Sequence, residues 1–293
     1  RVVFLIKGKK SGKVKIKLGD TLWLADSAED FKDKEIVISP GEPGVIQTLN
    51  QGDRIYFDDG LTLAKVIEIA EKGVKLKIVR DSSKKSKIKA EKGINFPDSS
   101  LSISSLTDFD LECLPFVMSH ADTIGFSFVR HASDIVKLRT ELGKFSSEIP
   151  PIILKIETKE AVDNFPQLLL ESMKSAFSGI MIARGDLAVE IGFERLVEIQ
   201  EEISWLCEAA HTPVIWATQV LESLHKSGVA SRAEITDAGR AAMAECIMIN
   251  KGDHTLEVLR TLRDIAERSR GLKNKNRLVF RPLGIAEQFF EDN

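Results

Sequence analysis

Beyond residue 97, the sequence alternates short apolar runs with longer amphipathic segments, and this alternation limits the fold more than any other feature. Runs that are almost entirely apolar are typical of parallel strands covered on both faces by helices. Five such runs are counted, at residues 123–129, 151–157, 179–185, 213–219 and 246–250. Helical periodicity predicts six helices, between which these runs lie, at residues 106–119, 131–143, 159–175, 194–210, 234–244 and 254–269. The pattern therefore predicts an α/β sheet or barrel.

Residues 1–97 have a different pattern, in which short runs of alternating apolar and polar residues are separated by turn-forming stretches. The runs KVKIKL, EIVI, RIYF, LAKVIEI and VKLKIV occupy residues 13–18, 35–38, 54–57, 63–69 and 74–79. Turn-forming stretches such as SPGEPG and DDG lie between them. Alternation of apolar and polar residues over such short runs predicts a small antiparallel β domain with one solvated face. We therefore predict two domains, at residues 1–97 and 98–293.

The composition argues against several classes of protein. The chain has 293 residues, of which 43% are hydrophobic and 29% are charged, so it can bury a large core and is expected to be soluble. Its formal net charge of −3 gives no reason to expect nucleic acid or an anionic membrane as a partner. No apolar stretch approaches the roughly 20 residues of a membrane span, and no signal-peptide pattern is seen. We expect an intracellular protein and, because the sequence begins at Arg1, a piece of a longer chain.

Cysteines and histidines give no sign of a disulfide framework or a metal centre. The cysteines are widely spaced in apolar contexts, which predicts buried, inert thiols. They are Cys113, Cys207 and Cys246. No histidine has a spacing that pairs it with the carboxylates described below, and three are interpreted as surface or helix-end residues. They are His131, His211 and His225.

Polar residues of the second domain fall at the carboxyl ends of three successive predicted strands. They are Lys155 and Glu157, then Arg184, Gly185 and Asp186, then Thr218 and Gln219. Parallel strands bring their carboxyl ends to one rim, and active sites in such folds are built there. Residues two apart on a strand point to the same side, so Lys155 and Glu157 are predicted to face this rim together.

Two carboxylates and a lysine on one rim suit a divalent cation and a phosphate. Glu157 and Asp186 would give Mg²⁺ or Mn²⁺ a small number of protein oxygens, and Lys155 would be a fixed positive charge for a phosphate or enolate oxygen. Gly185 permits close backbone approach, and a helical turn that begins there would offer free N–H groups to an anion. From spacing alone, a structural ion pair of Lys155 with Glu157, and a helix N-cap at Asp186, explain the same residues equally well.

Longer motifs carry a resemblance to the pyruvate kinase family. ILKIETKEAVDNF, GIMIARGDLAVEI, PVIWATQVLESL and SRAEITDAG resemble consecutive barrel motifs of that family, in the same order. GDRIYFDDGL with KGINFP resembles its mobile β domain and the return to the barrel, and GFSFVRHASDI resembles the intervening barrel strand. The resemblance implies an incomplete (β/α)8 TIM barrel, with about the last five strands of eight. In this reading residues 98–293 form the partial catalytic barrel, and residues 1–97 form a small antiparallel β-barrel lid ahead of it.

The resemblance also implies a role for each rim residue. Lys155 matches the catalytic lysine that stabilises the phosphoryl group between phosphoenolpyruvate and ADP. Glu157 and Asp186 match the divalent-metal ligands, and Gly185 and Asp186 also match substrate contacts. Thr218 matches the threonine beside the enolate that is protonated to pyruvate. Lys155 and Thr218 are therefore predicted to be both catalytic and substrate-binding.

Cofactors and partners follow from the same resemblance. It implies Mg²⁺ or Mn²⁺, and also K⁺, whose expected ligands belong to barrel strands that are absent from this sequence. The ligands would be phosphoenolpyruvate or pyruvate and ADP or ATP, and Arg1 is similar to a nucleotide-binding arginine of the family. We expect a homo-oligomer, or a longer chain that supplies the first barrel strands, acting in cytoplasmic glycolysis. An organelle such as a plastid stays open.

Departures from the family pattern leave a second function open. After CIMIN, the family's Ser-Gly-Glu-Thr-Ala segment is replaced by Asn250 running into KGDHTLE, so an expected hydroxyl and carboxylate are lost. Trp216 also adds bulk where the family usually has a small residue. The alternative is a catalytically impaired homologue that acts as a metal- and carboxylate-binding or regulatory protein.

Overall fold

The structure is a computed structural model, and it describes residues 3–4, 13–32, 35–82, 87–101, 103–269 and 283–291. The chain divides into two compact units, Arg1–Ser104 and Ser105–Asn293. Arg1 lies outside the described residues, so its nucleotide-binding role stays a prediction. The lid role of the first unit also stays a prediction.

The first unit is built from β-strands. They are β1 (Val3–Phe4), β2 (Lys13–Lys15), β3 (Thr21–Leu24), β4 (Val37–Ser39), β5 (Arg54–Phe57), β6 (Thr62–Ala70), β7 (Gly73–Asp81), β8 (Lys87–Lys89) and β9 (Ile94–Asn95). Seven form one sheet in the order β1-β4-β3-β7-β6-β5-β9, and β2 pairs with β8 in a second sheet. The pairs are antiparallel, as predicted, except that β3 runs parallel to β4.

The hairpin of β6 and β7 contributes much of the core of this unit. Val66, Val74, Leu76 and Ile78 are buried in one apolar cluster, while charged residues alternate with them along the strands. The turn between the strands ends at Gly73, whose φ is 144°. A Cβ atom there would lie 2.6 Å from the Leu24 carbonyl oxygen, so only glycine fits this approach.

The second unit contains one fully parallel sheet. Its strands are β10 (Ile124–Phe126), β11 (Ile152–Ile156), β12 (Ser178–Ala183), β13 (Val214–Ala217) and β14 (Cys246–Ile247). Strands that follow one another in the sequence are neighbours in the sheet, and each neighbouring pair is parallel. Successive parallel neighbours are the arrangement of a (β/α)8 barrel, and the predicted partial barrel of five strands is confirmed.

Helices connect these strands. They are α1 (Asp108–His120), α2 (Ala132–Gly143), α3 (Lys159–Asp163), α4 (Phe165–Ser172), α5 (Arg184–Ile191), α6 (Leu196–Ala209), α7 (Glu222–Ser227), α8 (Arg232–Ala241), α9 (Thr255–Ser269) and α10 (Gly284–Glu291). The helix predicted at residues 159–175 is split into α3 and α4. Pro166 lies in the first turn of α4, where its missing N–H is no loss, but it cannot continue α3.

The core of the second unit lies between the sheet and its helices. Leu154, Ile156, Ile180, Ile182 and Trp216 are buried members of one apolar cluster. Burial of these strand residues explains why the runs are almost entirely apolar. Within the described ranges, no helix is both long enough and apolar enough to cross a membrane.

The prediction that all three thiols are buried is wrong. Cys246 is exposed on β14, which is an edge strand. Cys113 is half-buried, and only Cys207 is buried as predicted. All three thiols are free. His225 lies in the last turn of α7, which agrees with the helix-end interpretation, and it is only 1% exposed. Its ring is covered because the backbone at Gly252 packs against it: a Cβ atom on Gly252 would lie 2.5 Å from His225 Cδ2.

Candidate active site

The carboxyl end of β11 brings Lys155 and Glu157 together. Lys155 lies near the end of the strand and Glu157 follows directly after it. Lys155 Nζ lies 2.7 Å from Glu157 Oε1, which confirms the predicted shared orientation. The lysine side chain is 26% exposed and the glutamate side chain only 3% exposed. The lysine side chain therefore remains partly accessible in the ion pair.

Glu157 is a buried carboxylate held from two sides. Phe128 donates its backbone N–H to Glu157 Oε2 at 2.6 Å, while Lys155 contacts the other oxygen. Burial raises the pKa of the Glu157 carboxyl, and the nearby Asp186 carboxylate raises this pKa further. Lys155 and the Phe128 N–H oppose that rise. A cation at this position would favour the charged carboxylate, because it offsets both burial and the neighbouring negative charge.

Asp186 lies in the first turn of α5, which begins where β12 ends. The N-cap residue is Ala183, so the interpretation of Asp186 as the N-cap is wrong. Ile156 on β11 pairs with Ile182 on β12, so Glu157 and Asp186 follow neighbouring strand ends. No group of three or more His, Cys, Asp and Glu side chains that could hold a metal ion is found in the described part of the chain. The pair fits a hard cation such as Mg²⁺, which often takes few protein oxygens and keeps water or substrate oxygens.

Thr218 occupies a strained turn immediately after β13. Thr218 and Gln219 have φ values of 67° and 56°, in the left-handed region that non-glycine residues rarely adopt. Thr218 Oγ1 accepts a hydrogen bond from the Gly185 N–H at 2.9 Å. The structure thus brings two of the predicted residues together, one from each of two neighbouring strand ends.

Arg184 stabilises the same turn; its place at the strand end was predicted from the sequence, but no role was assigned to it. Its guanidinium donates to the carbonyl oxygens of Ala217 at 3.1 Å and Thr218 at 2.6 Å. It also binds Asp237 through Oδ1 at 2.5 Å and Oδ2 at 3.0 Å. The guanidinium carbon lies 5.1 Å from the Trp216 ring centre, so the extra bulk at this position packs against the arginine. A cation inside the apolar run GIMIARG was the available signal.

Ser127 and Phe128, which follow β10, were also missed. Lys155 Nζ donates a hydrogen bond to Ser127 Oγ at 2.8 Å. Phe128 has a φ of 52° and turns its N–H toward Glu157. The motif GFSFVR contained both residues at a strand end, but no local pattern indicated which strand they would contact.

The sheet and its rim define a β/α barrel protein whose strand ends are suited to a divalent cation and an oxyanion. A protein-family model described as "Pyruvate kinase, barrel domain" matches residues 1–255. The chain belongs to the pyruvate kinase family, as its motifs predicted.

Curated relatives point to the same family. The chain is 33% identical to pyruvate kinase of Thermotoga maritima over 261 residues, which cover 87% of this chain and 53% of that protein. It is 32% identical to pyruvate kinase of Thermococcus litoralis over 265 residues, 88% of this chain and 53% of the relative. With pyruvate kinase of Bacillus licheniformis it shares 32% over 278 residues, 92% of this chain and 46% of the relative. The chain thus spans about half the length of the curated relatives it matches.

Proposed function

We propose that this chain carries a pyruvate kinase-like phosphotransferase site, which moves the phosphoryl group of phosphoenolpyruvate to ADP and gives pyruvate and ATP. The observation that carries the proposal is Lys155, a partly exposed lysine held between Ser127 Oγ and Glu157 Oε1 at a strand end. The names of the relatives support the same reaction. A place in cytoplasmic glycolysis belongs to the proposal on family grounds alone.

Lys155 would act on the phosphoryl group. Phosphoryl transfer depends on positioning and charge neutralisation more than on covalent chemistry of the protein. An ammonium group has three N–H donors, and Ser127 and Glu157 each accept from Lys155 Nζ. A donor that remains would be directed at a phosphoryl oxygen, where a fixed positive charge stabilises the transition state.

Glu157 and Asp186 would hold Mg²⁺ or Mn²⁺. Such an ion, when bound, neutralises charge on the substrate oxygens and orients them. Their positions after neighbouring strands β11 and β12 support this assignment, because a cation between two carboxylates offsets their like charges. K⁺ is proposed from the family alone, since we assign it no ligand among the described residues.

Thr218 would assist protonation of the enolate to pyruvate. Its Oγ1 accepts the Gly185 N–H, so the proton of its own hydroxyl is left for another acceptor. Gly185 keeps the backbone close to this hydroxyl, since a Cβ atom there would lie 3.6 Å from Thr218 Oγ1. Substrate contact by Gly185 is part of the same proposal.

A second function is favoured by the end of the sheet. Only Cys246 and Ile247 of the run CIMIN are in strand conformation, and Asn250 leads into KGDHTLE without the hydroxyl and carboxylate of the family motif. A chain that keeps the metal and carboxylate pocket but does not turn over would be a binding or regulatory homologue.

The test is pyruvate formation from phosphoenolpyruvate and ADP with Mg²⁺ and K⁺, in the full natural protein. Lys155→Met is compared with Lys159→Met, a control in which an exposed lysine outside the site is removed. Turnover that disappears only in Lys155→Met is the expected result. Absence of turnover in the wild type, with Mn²⁺-dependent oxalate binding intact, selects the binding function. Equal turnover in the wild type and Lys155→Met contradicts the proposed role of the lysine.

A further inference from the structure

The turn after β10 holds a strained residue whose conformation serves the site. Phe128 has a φ of 52°, which is a genuine outlier for a bulky side chain. Its ring is 48% exposed, so packing of the ring does not explain this conformation. The backbone N–H does, because it reaches Glu157 Oε2 at 2.6 Å. Strain of this kind persists where the surrounding structure over-determines it.

Ser127, the preceding residue, holds the other member of the ion pair. Its Oγ accepts from Lys155 Nζ at 2.8 Å, while Glu157 Oε1 lies 2.7 Å from the same nitrogen. The lysine stem passes close to Gly125 on β10, where a Cβ atom would lie 4.0 Å from Lys155 Cδ. Two oxygens, one carried by the turn after β10 and one by the residue after β11, therefore fix the position of the ammonium group.

We propose that Ser127 is a positioning residue, which acts through Lys155 and sets where its ammonium group meets a small anionic substrate. The inference rests on the proposed function. Without Ser127 Oγ, the ammonium group would keep only the buried Glu157 carboxylate, and the charge attraction would draw it toward that oxygen. The donor that faces the substrate would then be displaced, and small displacements of a catalytic group are costly.

Glu157, a proposed metal ligand, has one support that does not depend on Ser127. The Phe128 N–H donates to Glu157 Oε2, whereas the Ser127 hydroxyl contacts Lys155, so Glu157 keeps this donor when the hydroxyl is lost. Loss of the hydroxyl should therefore alter binding of the anion and leave binding of the cation unchanged. This separation distinguishes a positioning role from a general loosening of the site.

The experiment measures two dissociation constants in the full natural protein: that of Mn²⁺ alone, and that of oxalate at saturating Mn²⁺. Ser127→Ala removes the hydroxyl, Ser127→Thr restores it, and Ser147→Ala is the control at an exposed serine. We expect Ser127→Ala to bind Mn²⁺ normally and oxalate about tenfold more weakly, the loss of one charge-assisted hydrogen bond. Ser127→Thr should recover most of the oxalate affinity.

Three results would count against the inference. Normal oxalate binding in Ser127→Ala, with weak binding in Lys155→Met, overturns the role of Ser127 and leaves the proposed function standing. Equal weakening of Mn²⁺ and oxalate binding in Ser127→Ala and Ser127→Thr indicates general disruption and also overturns it. Absence of Mn²⁺-dependent oxalate binding in the wild type overturns the proposed function itself, and the role of Ser127 falls with it.

Discussion

Arg184→Met should destabilise the second unit by about 3 to 5 kcal/mol, because it removes the charged hydrogen bonds of a buried guanidinium. Arg184 is only 7% exposed and donates to two carbonyl oxygens, those of Ala217 and Thr218. Hydrogen bonds of this charged kind contribute about 1.5 to 3 kcal/mol each, and they account for most of the effect. Asp237 adds little, because its side chain is 30% exposed and regains water.

The assay is urea unfolding followed by tryptophan fluorescence. The chain has three tryptophans, and Trp23→Phe removes the one in the first unit, so Trp205 and Trp216 report on the second. Trp216 is a direct probe because the guanidinium lies over its ring. The free energy of unfolding is extrapolated for each variant in this background. Methionine keeps the length of the apolar stem, so the difference reflects mainly the lost guanidinium.

Three further variants sharpen this prediction. Arg184→Lys should retain a charge but lose the planar fork, and should fall between wild type and Arg184→Met. Arg195→Met removes an exposed arginine paired within one helical turn, and should change the free energy of unfolding by less than about 1 kcal/mol. Asp237→Asn combined with Arg184→Met should be less than additive, because the two side chains share one contact. A loss of less than about 1 kcal/mol in the free energy of unfolding of Arg184→Met would refute the stabilising role of Arg184.

Three other properties can be tested directly. The Arg54 guanidinium lowers the pKa of Asp98. The stability that this ion pair adds is therefore present above the unfolded carboxyl's pKa of about 3.9 and is lost as the pH falls below that value. Arg54→Gln should flatten this loss in urea midpoints from pH 7 to 3, and an unchanged slope contradicts the prediction. Glu202 accepts the first two N–H groups of α10 at 3.2 and 3.0 Å, so Glu202→Gln should speed hydrogen exchange there, and unchanged rates argue against this contact. Burial raises the pKa of Cys207 to about 12, so a thiol reagent should label exposed Cys246 first, and equal labelling rates by mass spectrometry refute this order.

The rim could be predicted because its signals are local. Long apolar runs predicted strands, and the end of each run was marked by polar residues that a buried strand does not otherwise tolerate. The period of two along a strand then placed Lys155 beside Glu157, and the structure confirms that pairing at 2.7 Å. The weakest local predictions were boundaries: α8 begins at Arg232 and not at residue 234, because Ser231 is its N-cap.

The supports of the rim could not be predicted, because each joins residues distant in sequence. Arg184 and Asp237 are 53 residues apart, and Ser127 and Lys155 are 28 apart. The left-handed conformation of Phe128 has no local cause, since its residue type disfavours it. Only the tertiary arrangement of neighbouring strand ends selects such contacts.

The two strained turns lie on either side of the β11 and β12 ends, and both use backbone geometry to fix a polar group of the site. Phe128 aims an N–H at Glu157, and Thr218 holds its hydroxyl against the Gly185 N–H. Groups fixed in this way need little rearrangement when charge develops on a substrate, which is how preorganised sites stabilise transition states. Strain at both turns is sustained by the buried sheet between them, where Ile156 and Ile182 are fully buried neighbours in register. The apolar strands that identified the fold are therefore also what allow the strained, polar rim to persist.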